Sequence, residues 1–206
     1  MVATGTETWI LRHLGWPWIR DVVLPWIGRR LIKRLSGIEF LKNRYDMQPL
    51  DILLSKANRV DAIVVIGRTL HEHKLDSISK FNRAIFPNPE CQSILHYAKT
   101  VHEFGHIRRN IAEATNTLSS QRVKVRWYPH AIHHAILLAD TERSSGWVQV
   151  ESVLPFSIPN LRPGWRAYRS HQEQLVISIS HIFEKMWEES AEPSKAVIKR
   201  LMSDKG

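Results

Sequence analysis

The sequence predicts one α/β domain over residues 48–190, a mixed sheet flanked by helices, with an amphipathic helical segment (1–47) before it and a polar tail (191–206) after it. Two observations predict this. Short β-branched apolar runs bounded by turn residues alternate with stretches whose apolar residues return every three or four positions. That alternation is the mark of helices layered on a sheet. The chain is also large enough for one full core, with 206 residues of which 43% are apolar.

In chain order, "WILRHLGWPWIRDVVLPWIGRRLIKRL" (9–35) holds four of the eight tryptophans. Trp18, Ile19, Val22, Val23, Trp26, Ile27, Leu31 and Ile32 form a helical stripe, and Pro17 and Pro25 start or kink helices. Charges at Arg12, Arg20, Asp21 and Arg29 interrupt the stretch, so it does not offer the ~20 uncharged residues of a membrane span. Nor does it show the basic start, unbroken apolar run and cleavage site of a secretory leader. Two roles fit it: a helix lying in a membrane interface, with tryptophans on one face and Arg/Lys on the other, or a helix packed on the domain or on a second subunit.

"VDAIVVIG" (60–67) predicts a buried strand and 74–86 a helix through Leu75, Ile78, Phe81 and Ile85. After the turn "PNPE", "CQSILHY" (91–97) predicts a second strand and 99–119 a helix. "RVKVRWY" (122–128) turns Val123, Val125 and Trp127 inward and Arg122, Lys124 and Arg126 outward, a half-buried strand with a basic face. "AILLAD" (135–140) and "WVQVESVL" (147–154) are further strands. A Pro-rich loop then leads to a closing helix marked by Leu175, Val176, Ile179, Ile182, Phe183, Met186 and Trp187. The tail beyond 190 is polar and expected to fray.

The net charge of +9 calls for an anionic partner: a membrane surface, a nucleic acid or a phosphorylated ligand. Residues 1–44 concentrate it, with eight Lys/Arg against three acidic residues. Cys91 is the only cysteine, which rules out an internal disulfide and makes a reducing, cytoplasmic setting the expectation, with the inner membrane face as a peripheral station.

Two histidine motifs carry candidate chemistry. His102-Glu103-Phe104-Gly105-His106 matches H-E-x-x-H, in which two histidines one helical turn apart hold zinc and the glutamate acts as base. On a helix, Phe104, Ile107, Ile111, Ala114 and Leu118 share one face, and His102, His106, Arg109 and Glu113 share another. Arg108 and Arg109 set positive charge where a dication would sit. A third ligand would have to come from Glu113, His130, His133 or Asp140. A polar helix face explains the pentapeptide equally, so no cofactor is expected, and zinc belongs to the alternative reading alone.

The second motif is "HHAILLAD", residues 133–140. It reads His133-x-Ala135-x-x-x-x-Asp140 and resembles the H-x-K-x-x-x-x-D motif of the phospholipase D superfamily, with alanine at the lysine position. The order "VIGRTL", "RRNIAEATNTLSS", "RVKVRWY", "AILLAD", "GWVQVESVLP", "RPGWR" and "FEKMWEES" is similar to phospholipase D-like domains of bacterial proteins, over about residues 52–189. The resemblance implies a phospholipase D-like fold and a homodimer, because active members bring two motifs together. There one histidine attacks phosphorus, the other protonates the leaving group, and lysines clamp the phosphate. Here His133 and Asp140 are the residues that match. The missing lysine removes a charge-stabilising donor whose loss commonly costs about 10²–10³ in rate. The resemblance therefore implies a catalytically degenerate binding or sensing module for a phosphate-bearing ligand (nucleotide, nucleic acid or phospholipid). Its expected ligand-binding set is Lys124, Arg126, His130 and His134, and Asp140 is expected to hold a turn or orient an imidazole. The alternative is an enzyme: a residual phosphodiesterase or nuclease using His133, or a zinc hydrolase.

Overall fold

Among the described residues, seven strands form a single mixed sheet in the order β1-β7-β6-β5-β2-β3-β4. The strands are β1 (Ile38–Leu41), β2 (Val60–Ile63), β3 (Phe81–Pro87), β4 (Lys124–Tyr128), β5 (His134–Ala139), β6 (Trp147–Ser152) and β7 (Gly164–Tyr168). Among the described residues, five helices accompany them: α1 (Leu50–Leu54), α2 (Gln92–Thr100), α3 (Phe104–Ser120), α4 (Glu173–Glu189) and α5 (Lys195–Ser203). This computed structural model describes residues 36–42, 50–67, 76–100, 104–153 and 162–203.

β2, β3 and β4 run parallel, and β5, β6, β7 and β1 continue the sheet antiparallel. Parallel neighbours need long crossovers that place helices on the sheet. Accordingly, two apolar layers form. On one face Val60, Ala62, Ala84, Phe86, Val125 and Trp127 pack with Ile107, Ile111, Ala114 and Leu118 of α3. Those are four of the five residues expected on the apolar face of that helix; the side chain of the fifth, Phe104, lies outside the described residues. On the other face Ile63, Ile85, Ile136, Leu138, Val148, Val150 and Ala167 pack with Val176 and Phe183 of α4.

Three expectations are corrected. Of the helix expected over 74–86, residues 74 and 75 lie outside the described residues, and the rest is a 3-10 turn (Asp76–Lys80) leading into β3. The spacing of Ile78, Phe81 and Ile85 fits a helix, but Phe81, Ala84, Ile85 and Phe86 are buried on both faces between two parallel partners. "CQSILHY" is α2 rather than a strand, because the β3-to-β4 connection is a parallel crossover, and an Asn88 turn (Glu90 N to Asn88 Oδ1, 2.9 Å) launches it. The tail, as far as it is described (191–203), is ordered rather than frayed. Ala191 pairs with Trp127 at the outer edge of β4, and α5 buries Leu201. The sheet also takes β7 from the Pro-rich stretch and β1 from the segment before residue 48.

A polar lock ties α4 to the sheet. Arg83 lies 4.6 Å from the Phe183 ring centroid and 5.3 Å from that of Trp187. It donates to Asp61 at 2.8 and 3.2 Å and to Glu184 at 2.6 and 2.8 Å. The hydrogen bond from Arg83 holds the Glu184 carboxyl below its ordinary range, against an opposing effect of burial. A depressed carboxylate pKa stabilises the fold above the unfolded value, about 4.3, and that stabilisation is lost as pH falls through the lower native value. Glu184 is half exposed, so solvent screening keeps the effect below about 1 kcal/mol. In urea titrations, Glu184→Gln is expected to be less stable than the wild type above pH ~4.5. The gap should close as pH falls through the depressed native value. A gap that persists unchanged at pH 3 contradicts the linkage.

Candidate functional site

The carboxyl ends of β2, β3 and β4 share one edge of the sheet. Because β5 is antiparallel to β2 (Ile63 opposite Ile136), it begins at that same edge with His133 and His134. In open α/β sheets this is the edge where ligands gather. His130, His133 and His134 are all exposed there. The His133 carbonyl accepts the Val153 N–H at 2.9 Å, extending the β5–β6 pairing by one residue and leaving the ring outside. The His130 ring meets Tyr128 edge-on at 5.4 Å. Burial, aided by the Glu189 carboxylate, pushes the Tyr128 hydroxyl up from its ordinary value.

Successive residues of a strand point to opposite faces. His133 therefore shares a face with Ala135 and Leu137, whose partners on β6 are Glu151 and Gln149. Gln149 stands opposite Arg166 on β7, and Arg166 opposite Glu39 on β1. This is the face away from α4, and it is polar although buried: Gln149, Glu151 and Arg166 are 6%, 7% and 5% exposed. Arg166 donates to Gln149 Oε1 from Nε at 3.1 Å and from Nη2 at 2.6 Å. Its Nη1 lies 3.6 Å from Glu39, and its guanidinium is 5.4 Å from the Trp147 ring centroid. The Tyr168 hydroxyl donates to Glu39 at 3.2 Å, a polar tip on an apolar body. Nearer the His133 edge, Arg162 Nη1 is 3.7 Å from Glu151 Oε1.

The motif alanine thus faces a carboxylate–guanidinium pair across the β5–β6 ladder. Chemically, this face holds two guanidiniums, Arg162 and Arg166, each beside a carboxylate, Glu151 and Glu39 respectively.

Asp140 lies elsewhere. It follows the last residue of β5, seven positions from His133 and so about 20 Å away along an extended chain. Its Oδ1 accepts the Arg59 N–H at 3.0 Å; its Oδ2 accepts the Asn58 N–H at 2.9 Å and Asn58 Nδ2 at 3.2 Å. Its backbone is left-handed (φ 46), and its own N–H donates to the Arg59 carbonyl at 3.0 Å. Of the two roles expected for it, holding a turn is the one the geometry displays.

The expected ligand set is also divided. His130 and His134 stand at the carboxyl edge, whereas Lys124 opens β4 at the opposite edge. Arg126 is pinned under α4, 4.7 Å from the Trp187 ring centroid, with Nη1 donating to the Trp187 carbonyl at 2.8 Å. It closes a helix C-terminus. In the H-E-x-x-H stretch, His102 and Glu103 lie outside the described residues, and His106 is exposed on the first turns of α3. Glu113, a candidate third ligand, accepts from Arg109 Nε at 2.7 Å. Among the described residues, no group of three or more His, Cys, Asp or Glu side chains could hold a metal ion.

Sequence reasoning missed Glu39, Gln149, Glu151, Arg162, Arg166 and Tyr168. The signal was the alternation in "WVQVES", which reads as a solvated outer face until something is found to cover it.

Fold and site together define an α/β domain with exposed histidines at the carboxyl edge of its sheet and buried polar side chains on one face of β6 and β7. No family model matches the chain, and no curated protein is significantly similar to it. Among solved structures, it is similar at a TM-score of 0.46 and 9% identity to TrmBL2, an archaeal chromatin protein described as showing a novel mode of DNA binding. The match covers 91% of this chain and 68% of that one.

Proposed function

We propose that this chain is a catalytically degenerate, phospholipase D-like module that binds a phosphate-bearing ligand at the His133 edge of the sheet. One observation carries the reading: His133 and the motif's Ala135 face the same side as Arg162 and Arg166, while Asp140 is committed to a turn at the far end of β5. Guanidiniums favour phosphate through forked, charge-assisted hydrogen bonds. They supply a cation where the motif lysine is absent. A nucleophile would need a second histidine as acid and a fixed cation close to phosphorus, and a single chain provides one such motif.

Titration calorimetry with inorganic phosphate and with a nucleoside monophosphate tests the proposal. Arg162→Ala and His133→Ala are expected each to weaken binding about five- to tenfold or more, as loss of a charge-assisted hydrogen bond does. Turnover of a generic phosphodiester by the purified protein, abolished in His133→Ala, overturns the degenerate reading. Unchanged phosphate affinity in both variants overturns the site.

A further inference from the structure

The amino-terminal edge of the sheet, opposite the His133 edge, carries five cations that no carboxylate matches. β2, β3 and β4 begin there, and antiparallel β5 ends there, with Ala139 opposite Val60. Lys56 comes shortly before β2, Lys80 just before β3 and Arg122 just before β4; Lys124 is the first residue of β4, and Arg143 lies in the turn after β5. Lys56, Arg122, Lys124 and Arg143 are exposed, and Lys80 is half-buried. None of the five makes an ion pair or a side-chain hydrogen bond among the described residues. The described carboxylates of this edge are already matched. Asp61 lies 3.3 Å from Arg59 and 2.8 Å from Arg83, Glu184 lies 2.6 Å from Arg83, and Glu142 lies 3.5 Å from Arg59. Asp140 accepts the backbone N–H groups of Asn58 and Arg59. The edge is left with uncompensated positive charge.

A second observation at the same edge points to a ligand. α3 ends in a Schellman turn: the Arg122 N–H donates to the Ser119 carbonyl at 3.0 Å, and the Val123 N–H to the Leu118 carbonyl at 3.1 Å. Its left-handed position is held by Arg122 (φ 64), where glycine is the residue that fits without strain. A cation there suits the negative end of the helix dipole, but a Lys or Arg in the last turn would do so without left-handed backbone, and α3 has none. Backbone strain of this kind clusters at functional positions. Here it holds an exposed guanidinium beside the other cations.

From these we infer that the amino-terminal edge docks the phosphate backbone of a nucleic acid, at a site separate from the His133 edge. The spacing suits a linear polyanion. Four neighbouring strand ends, β5-β2-β3-β4, about 4.8 Å apart, set the row at about 14 Å. One nucleic-acid strand carries a phosphate per about 3.4 Å of helix axis, so about four phosphates face such a row. Cations anchored on four separate strand ends match that number. A membrane surface is the poorer fit, because interfacial binding draws on aromatic side chains seated beside the cations. The exposed aromatic among the described residues, Phe40, is on β1, three strands away from the row. Backbone contacts position a duplex without reading its bases, so little sequence preference is expected.

Fluorescence anisotropy of the full chain with a short labelled DNA duplex, read across a salt series, decides it. Lys80→Gln, Lys124→Gln and Arg143→Gln combined are expected to weaken binding about tenfold or more and to flatten the slope of log affinity against log salt by about one per charge removed. Lys195→Gln with Lys199→Gln, which removes exposed cations from α5, should change both little. Arg122→Gly should weaken binding while raising the urea midpoint, because glycine relieves the left-handed position. Affinity that follows total charge alone, with the α5 variant losing as much per charge as the edge variant, overturns the inference. An equal loss in His133→Ala and Arg162→Ala also overturns it, since the duplex then occupies the phosphate site; unchanged binding in those two supports it, whatever becomes of the phosphate reading. Flotation on anionic vesicles that the edge substitutions abolish, with duplex binding intact, overturns it in favour of a membrane surface.

Discussion

Phe183→Ala is expected to lower the unfolding free energy by about 3–5 kcal/mol, the range for deleting a fully buried aromatic ring. Phe183 is 1% exposed and sits where α4 meets Ile63, Ile85, Val148 and Val150. Its ring also stacks with Trp187, at 6.0 Å between centroids, and lies against the Arg83 guanidinium. The truncation therefore opens a cavity and takes one wall from the Arg83–Asp61–Glu184 lock. Against a total of about 5–15 kcal/mol, such a loss brings a domain close to unfolding at ambient temperature. Urea denaturation followed by far-UV circular dichroism measures it. Phe183→Leu, which keeps most of the apolar volume, should recover more than half of the loss. A cost below about 1 kcal/mol for the alanine variant contradicts the placement of α4.

Asp140→Ala is the second large effect, at about 2–3 kcal/mol. Two causes add. Three N–H donors of Asn58 and Arg59 lose a charged acceptor, and alanine must adopt the positive φ that Asp140 holds. The causes separate experimentally. Asp140→Gly relieves the backbone and should cost less than Asp140→Ala, and Asp140→Asn, which tolerates the left-handed region and keeps one acceptor, should cost least. The same series tests the motif: with Asp140 far from His133, the folded Asn variant should bind phosphate as the wild type does. A loss of affinity without a loss of stability would return Asp140 to the site.

How much was legible beforehand follows the physics of each stretch. The buried stripe of α3, the inward Val123, Val125 and Trp127, and the apolar face of α4 were readable because 3.6- and 2-residue periods report which side of an isolated element is dry. Asp140 as a turn residue was readable for a similar reason, since Asp tolerates left-handed backbone and caps nearby N–H groups. The helix expected over 74–86 and the strand expected over 91–97 were misread because short apolar runs fit both periods. Pairing with two parallel neighbours decided the first, and the crossover it requires decided the second.

The candidate site lay further out of reach. His133 was visible from its motif, but its companions Glu151, Arg162 and Arg166 come from different strands and meet only through register. Lys124 and Arg126 looked like companions as the basic face of a neighbouring strand, yet Lys124 opens β4 at the opposite edge and Arg126 is held against Trp187 of α4. By itself, then, the sequence determined the class of fold, the dry faces of its clearest elements and one exposed histidine motif, all properties of local spacing. Tertiary structure alone decided the strand order and the burial of a polar face that alternation assigns to solvent. Those depend on contacts between residues distant in the chain, and no local period encodes them.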